Sequence, residues 1–425
     1  MKSVEIKMLG GGREVGRSAV ALGYNGRYLL LDHGVNFTEN DVPQFPQHIK
    51  PSLVEGIIIS HAHLDHVGAA PLIYSSAKPP TITTNLSKPL IRVMVEDFLR
   101  ISGYYIPYEY NELNTLLDNV IELSLNEWVE LGDFKISLLN AGHIPGSAMA
   151  LIELDGVRVL YTGDVNTAET KLVKPASYGG VSADILITEA TYGNSLHPPR
   201  PYVEKELIDS ILEVVENGGN VLIPVFSLGR AQELLCVLYQ YLPGLNVYYD
   251  GMVRYVSEVV SSYPEYINMY GLLISALKKF NMVKTSGERR KLTKEKGIVI
   301  VASAGMLKGG PAQYYAKQFA NNSKNGIFLV SYQARGTPGR KLLESGLLED
   351  NGQLVKAKVK WFDFSSHADS EGLTNILRGV NNIKHVVVMH TEESVGREFI
   401  ERLRKHRNDL SVYYPINGDT IRLDN

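Results

Sequence analysis

Residues 56–66 read Gly56-Ile57-Ile58-Ile59-Ser60-His61-Ala62-His63-Leu64-Asp65-His66. The apolar, β-branched half predicts a short buried strand, and the histidines close it off. Side chains clustered at the carboxyl end of a strand are held by the sheet behind them and open to solvent in front. His61 and His63 lie two apart, so an extended or tightly turned backbone aims both rings the same way. Asp65 and His66 then face a second point nearby. Mixed nitrogen and oxygen donors suit zinc, and the spacing suits two zincs better than one. A polar surface turn is the alternative, but three of only eleven histidines fall within this one short stretch.

Upstream, apolar runs at 4–9, 19–22 and 28–31 predict strands, with Asn25-Gly26 as a hairpin turn between the last two. Gly10-Gly11-Gly12 has no helical pattern after it and reads as a loop rather than a phosphate cradle. The second hairpin strand runs into Asp32, which sits where a strand gives way to a loop, as His61 does. Downstream, 67–74 and 89–101 read as helices. Strands follow at 120–123, 128–131, 134–140, 148–154, 157–161 and 185–189, with Asp155-Gly156 as a second hairpin dipeptide. Three of these runs end in polar groups: His143, Asp164 and Glu189.

Residues 194–201 hold three prolines and mark a domain boundary. Beyond it strands (221–225, 246–249, 298–302, 327–330) alternate with helices (203–216, 229–241, 253–262, 311–319), which predicts a parallel, helix-covered sheet. After Trp361 strands that end in polar residues return. His367 comes first, then a helix at 370–377, a strand at 385–389 ending in His390, a helix at 393–406 and a last strand near 420–423. The expected organisation is a first domain split into 1–194 and 362–425, with a second domain, 195–361, inserted. The basic cluster at 288–296 reads as a solvated loop or helix face.

At 425 residues, 44% hydrophobic and 21% charged, the chain is an ordinary globular protein of two or three domains. A formal charge of −3 excludes a histone-like nucleic-acid binder, although bound metal ions would add charge that this count omits. Cys236 is the one cysteine and sits in an apolar helical pattern, so disulfide chemistry is excluded and a reducing compartment favoured. No window reaches a membrane span and residues 1–12 lack a signal-peptide core, so a cytoplasmic protein is expected.

The order Asp32, His-x-His-x-Asp-His, His143, Asp164 resembles the metallo-β-lactamase fold, an α/β architecture built as an αββα sandwich. Glu189 in Thr-Glu-Ala-Thr-Tyr-Gly, His367 in Phe-Ser-Ser-His-Ala-Asp and His390 after Val-Val-Val-Met resemble the additional motifs of the β-CASP nucleases. Ile223-Pro224-Val225-Phe226-Ser227-Leu228-Gly229-Arg230 and Ala302-Ser303-Ala304-Gly305-Met306 do so as well. The similarity spans essentially the whole chain, with an inserted β-CASP α/β domain. It points to the nuclease subunit of the messenger-RNA 3′-end cleavage complex, its archaeal relatives and ribonuclease J. Thr391-Glu392 stands where a Gly-Glu pair is common, and Arg335 where relatives often carry an acid.

The resemblance implies two zinc ions per chain. One falls to His61, His63 and His143, the other to Asp65, His66 and His390, with Asp164 bridging. It also implies hydrolysis of RNA phosphodiester bonds by a bridging hydroxide. Asp32 matches an aspartate that holds a ligand or the bridging water, and Asp65 belongs with the catalytic set. His367 matches the acid that protonates the leaving group, with Glu189 as its partner. Ser303, Ala304, Gly305 and Met306, with Arg230, are the expected RNA phosphate contacts. The expected substrate is single-stranded RNA, a homodimer is implied by resemblance alone, and no membrane partner is expected.

With the first strand at Val4 and the last near 420–423, no appended RNA-binding module is expected, and a charge of −3 makes long-range attraction to RNA weak. Capture of a chain end is therefore expected: a 5′→3′ exonuclease preferring 5′-monophosphate ends. The alternatives are an endoribonuclease of RNA 3′-end processing and an inactive scaffold subunit, though all metal ligands are present. Small-molecule hydrolases of the same fold have no need of the inserted domain or of His367. DNA-directed relatives usually carry an apolar residue where this chain has His390.

Overall fold

Both hairpin dipeptides turn as their residues dictate. Asn25 and Gly26 take φ of 51° and 76°, and Asp155 and Gly156 take 46° and 81°, the left-handed pair that a two-residue turn between twisted strands requires. The first turn pairs Ala19–Tyr24 with Arg27–Leu31 and the second pairs Ala148–Leu154 with Val157–Tyr161. The structure, a computed structural model, describes residues 3–348 and 354–424.

One unit consists of Met1–Glu169, Lys174–Leu196 and Ser366–Asn425, and the other of Thr170–Val173 and His197–Ser365. The inserted unit is thus offset from the expected 195–361. It runs on to Ser365 and takes in Thr170–Val173, where the backbone N–H groups of Lys171 and Leu172 donate to the Glu233 carboxylate.

The first unit holds two seven-stranded sheets. In one the order is Thr420–Asp424, Ser3–Gly10, Ala19–Tyr24, Arg27–Leu31, Val54–Ile58, Thr81–Thr83, Val120–Glu122. In the other it is Ser411–Tyr413, His385–Met389, Ile185–Glu189, Val157–Tyr161, Ala148–Leu154, Phe134–Asn140, Trp128–Leu131. Their inner faces share one apolar core, with Ile6, Leu29, Leu31 and Ile58 from the first sheet and Ile136, Ile152, Val159 and Ile187 from the second. The parallel crossover between Thr81–Thr83 and Val120–Glu122 carries helices Ser87–Ser102 and Tyr110–Asp118. With the inner face already filled, a crossover has only the outer face to use. The outer face of the second sheet packs Leu160, Leu186 and Val388 against helices Ser370–Gly379 and Glu393–His406 through Leu373, Ile376, Phe399 and Leu403. These layers make the αββα sandwich.

The inserted unit is a six-stranded sheet, ordered Asn281–Met282, Asn246–Asp250, Ile298–Ala302, Val221–Pro224, Gly326–Leu329, Lys358–Trp361, and every pairing is parallel. Two separate apolar clusters cover its faces, one around Leu207, Leu234 and Val253, the other around Ala312, Tyr315 and Leu342. Cys236 is buried in helix Arg230–Tyr241. Among the described residues no helix is long and apolar enough to cross a membrane.

The helix expected at 67–74 is the chief departure. A four-residue helix, Leu64–Val67, begins inside the histidine cluster with His63 as its N-cap, and Ala70–Ser75 is a 3₁₀ segment. The Ala69 N–H is taken by the His33 carbonyl instead of a helical partner, and Pro71 has no N–H to offer.

Candidate metal centre

The strand Val54–Ile58 delivers Ser60 and His61 at its carboxyl end, and the turn after it is strapped to the neighbouring loop by backbone hydrogen bonds. Ser18 N–H donates to the Asp65 carbonyl, His33 N–H to His66 and Val35 N–H to Leu64, at 2.8–2.9 Å. The approach is so close that a Cβ on Gly34 would lie 1.8 Å from the Asp65 carbonyl oxygen, so only glycine fits there.

Two donor sets result, sharing one carboxylate. In the first, His63 Nδ1 lies 3.1 Å from His61 Nε2 and 3.2 Å from His143 Nε2, and Asp164 Oδ2 is 3.6 and 3.5 Å from those two Nε2 atoms. In the second, His66 Nε2 is 3.2 Å from Asp164 Oδ1, and His390 Nε2 is 3.4 Å from Asp65 Oδ2. His390 Nδ1 lies 3.5 Å from Asp164 Oδ1. The two oxygens of Asp164 thus serve one set each.

Hydrogen bonds behind the rings fix which nitrogens face inward. His66 Nδ1 donates to Asp32 Oδ2 at 2.7 Å and His143 Nδ1 to the Ser366 carbonyl at 2.8 Å. The Ser60 hydroxyl donates to Asp32 Oδ2 at 2.7 Å, so its oxygen accepts from His61 Nδ1 at 3.0 Å. Each of these rings therefore turns an Nε2 lone pair inward, the arrangement in which a carboxylate or carbonyl orients a ligating imidazole. Asp32 is fully buried and also accepts from Ser60 N–H and the Tyr161 hydroxyl, both at 2.7 Å. It reaches the donor set through His66 and is a positioning residue. Asp32→Asn, which keeps the shape but weakens the acceptor, is expected to lower metal affinity about 10–100-fold by chelator competition. Unchanged affinity would show that the backbone alone sets the His66 ring.

In the first set charge agrees with this geometry, whereas in the second burial is outweighed by Asp164, Asp32 and Asp65, which hold His66 above the ordinary imidazole value. Burial and neighbouring histidines hold His61 and His143 well below the ordinary imidazole value, leaving neutral rings with lone pairs to give. Burial works against the Asp164 carboxylate, but His66, His390 and His367 outweigh it and hold the group well below the usual carboxylate range.

A metal fits this chain on its own evidence. His66 Nε2 and Asp164 Oδ1 are buried, lie out of line for a hydrogen bond with each other, and have no other hydrogen-bond partner among the described residues. Leaving two such groups unsatisfied is costly unless a cation takes their lone pairs. Tetrahedral bonds of about 2.0–2.1 Å to nitrogen separate ligand atoms by about 3.3 Å, close to the 3.1–3.6 Å spacings of the first set.

Beside the centre, His367 Nδ1 donates to Glu189 Oε1 at 2.9 Å, and its Nε2 lies 3.9 Å from Asp164 Oδ2. Glu189 is itself fixed by the Val165 N–H at 2.9 Å and by the Thr191 hydroxyl at 2.5 Å. The first unit thus gathers Asp32, His61, His63, Asp65, His66, His143, Asp164, Glu189, His367 and His390 at one site. Ser60, Tyr161 and Thr191 complete it, although no sequence motif singles them out. Gly11, in the glycine loop, accepts the His390 N–H on its carbonyl at 2.7 Å.

Arg230 and Ser303, Ala304, Gly305 and Met306 belong to the second unit. They follow neighbouring parallel strands, Val221–Pro224 and Ile298–Ala302, at the carboxyl edge where open α/β sheets hold ligands. Ser303 Oγ accepts the Met252 N–H at 3.1 Å, and a Cβ on Gly305 would lie 2.9 Å from Phe226 N.

Comparison with known proteins gives the metallo-β-lactamase superfamily over residues 12–225, the Beta-Casp domain over 231–342, and the Zn-dependent metallo-hydrolase RNA specificity domain over 352–415. The chain is 45% identical to "RNase aCSPSF2" of Saccharolobus solfataricus, over 98% of this chain and 85% of that protein. It is 39% identical to "Probable RNase MJ4" of Methanocaldococcus jannaschii, over 99% and 100%. It is 34% identical to "Transcription termination factor FttA" of Pyrococcus horikoshii, over 99% and 71%. A crystal structure of a protein of unknown function from Enterococcus faecalis shares the fold with a TM-score of 0.62 at 14% identity, over 99% of this chain and 100% of that one. The chain belongs to the metallo-β-lactamase superfamily, in the branch that carries the Beta-Casp and RNA specificity domains.

Proposed function

We propose that this protein hydrolyses RNA phosphodiester bonds with two zinc ions held around Asp164 and His367 as the acid for the leaving group, working 5′→3′ from monophosphorylated ends. Its family makes it a metal-dependent ribonuclease, with RNA as the substrate. The observation that carries the two-metal reading is the division of Asp164, with Oδ2 facing His61, His63 and His143 and Oδ1 facing His66 and His390. These residues, with Asp65, would hold the pair. When bound, two such ions lower the pKa of water towards neutrality and take up negative charge on the phosphate.

The chain's own residues supply the rest. Asp32, Ser60 and the Ser366 carbonyl keep the imidazole rings from turning, so the donors are in place before substrate arrives. His367 gives its Nδ1 proton to the hydrogen bond with Glu189, which leaves Nε2 as the acid. Burial opposes its charge, but Glu189 and Asp164 prevail and hold it at about 9. The protonated ring is thereby favoured, with Nε2 placed to serve the departing sugar oxygen.

The 5′→3′ direction rests on the resemblance to ribonuclease J and on a net charge of −3, which favours capture of a chain end over a search along the strand. One RNA in three forms tests it: 5′-monophosphorylated, 5′-triphosphorylated and circular. Mononucleotide release from the first alone is the expected result. Rapid cutting of the circle would make internal cleavage the main activity and overturn the direction.

A further inference from the structure

Residues 278–296 carry eight lysines and arginines against two glutamates, in a chain of formal charge −3. All of these cations except Arg289 are exposed. The tract runs from the end of helix Tyr270–Lys279, through the edge strand Asn281–Met282, into helix Ser286–Leu292. It therefore flanks one edge of the inserted unit's sheet.

The helix is held in a definite orientation. Leu292 is buried, and Arg289 is clamped by two hydrogen bonds of 2.8 and 2.9 Å to Asp250, which also accepts from the Tyr315 hydroxyl at 3.0 Å. Thr285 caps the first turn by accepting the Glu288 N–H. With Arg289 and Leu292 turned inward, Arg290 and Lys291 are left on the exposed side. The clamp also abuts the carboxyl edge of the sheet. Asp250 is followed by Gly251, where a Cβ would lie 2.4 Å from Ser303 Oγ.

Helix polarity does not account for this much charge. A helix C-terminus carries about half a negative charge, whereas the tract has an excess of six cations over anions (eight less two). None of the seven exposed cations makes a side-chain ion pair among the described residues, and the two glutamates of the tract, Glu288 and Glu295, offset only part of their mutual repulsion. We propose that this strip is a binding site for the sugar–phosphate backbone of RNA. It rests on the ribonuclease reading for the identity of the polyanion. Because the protein as a whole is negative, the attraction is concentrated at this edge.

The test is a salt titration of RNA binding with the full, metal-loaded chain carrying His367→Ala to slow cleavage, and with the added changes Lys284→Glu, Arg290→Glu and Lys291→Glu. Anisotropy on a labelled RNA of about 30 nucleotides should show at least a tenfold loss of affinity. The slope of log affinity against log salt should shrink by about 2, since each phosphate contact on a single strand contributes about 0.7. The neutralising set Lys284→Gln, Arg290→Gln and Lys291→Gln guards against misfolding, and should shrink the slope similarly. The control Lys50→Glu, Lys78→Glu and Lys405→Glu makes the same change of net charge at exposed positions elsewhere, and should move the slope far less. A hexanucleotide should lose much less affinity than the long RNA.

An unchanged slope, a control that moves as far, or an equal loss on the hexanucleotide would overturn the proposal. So would loss of an acidic protein's binding with RNA binding intact. Should the unmodified protein cut no RNA and yet lose salt-sensitive binding on these changes, the ribonuclease reading falls and the strip stands.

Discussion

His63→Ala is expected to lose metal and RNA cleavage together. The wild-type chain should carry close to two zincs when purified, the variant distinctly fewer, and its rate should fall by at least about 10³-fold because the neutral-pH nucleophile depends on the metals. His63 Nδ1 is the atom that both His61 Nε2 and His143 Nε2 face, at 3.1 and 3.2 Å. Without it, the first set keeps two imidazoles and one oxygen of a carboxylate that also serves the second set. Because a bound ion stabilises the folded state by mass action, chelation should lower the melting temperature of the wild type more than that of the variant. Full activity in metal-free protein, with strong chelator present, would refute the metal mechanism outright.

Much of this candidate site is legible in the sequence because its residues carry a positional mark as well as a chemical one. Asp32, His61, Asp164, Glu189 and His390 each stand at or just past the end of an apolar β run. A strand end is where a side chain can be fixed by a sheet and still meet a substrate. Ser60, Tyr161 and Thr191 carry no such mark. Tyr161 looks like one more apolar strand residue, and its hydroxyl matters only because the second sheet brings it within 2.7 Å of Asp32, 129 residues away. The same limit hides the short helices Tyr110–Asp118 and Ser286–Leu292. Tyr110–Asp118 depends on the Glu109 N–H donating to the Glu112 carboxylate at 2.8 Å, and Ser286–Leu292 on Arg289 meeting Asp250. Such elements are held by partners outside the helix more than by their own periodicity. In the sequence alone, the basic residues of 288–296 accordingly read as a solvated face. Their concentration at one sheet edge emerges only when Lys278, Lys279 and Lys284 are seen to flank the same edge strand.

His367→Ala is expected to leave the metal content unchanged and to slow cleavage by about 10²–10⁴-fold, the usual worth of a positioned acid. The separation follows from the contacts. His367 bonds through Nδ1 to Glu189, and its Nε2 is 3.9 Å from Asp164 Oδ2, farther than the 3.2–3.6 Å at which His61, His66, His143 and His390 approach that carboxylate. Removing the ring therefore takes no donor from either metal set. What is lost is a proton for the oxygen that departs as the phosphodiester breaks. A substrate with a nitrophenolate leaving group needs little protonation, so on it the variant should recover most of the deficit. Glu189→Gln should give a smaller loss of the same kind, with metal content retained, because the amide holds the ring less firmly and no longer favours its charged form. An equal defect on natural and activated substrates would remove His367 from the acid's role and leave it a residue that places the RNA.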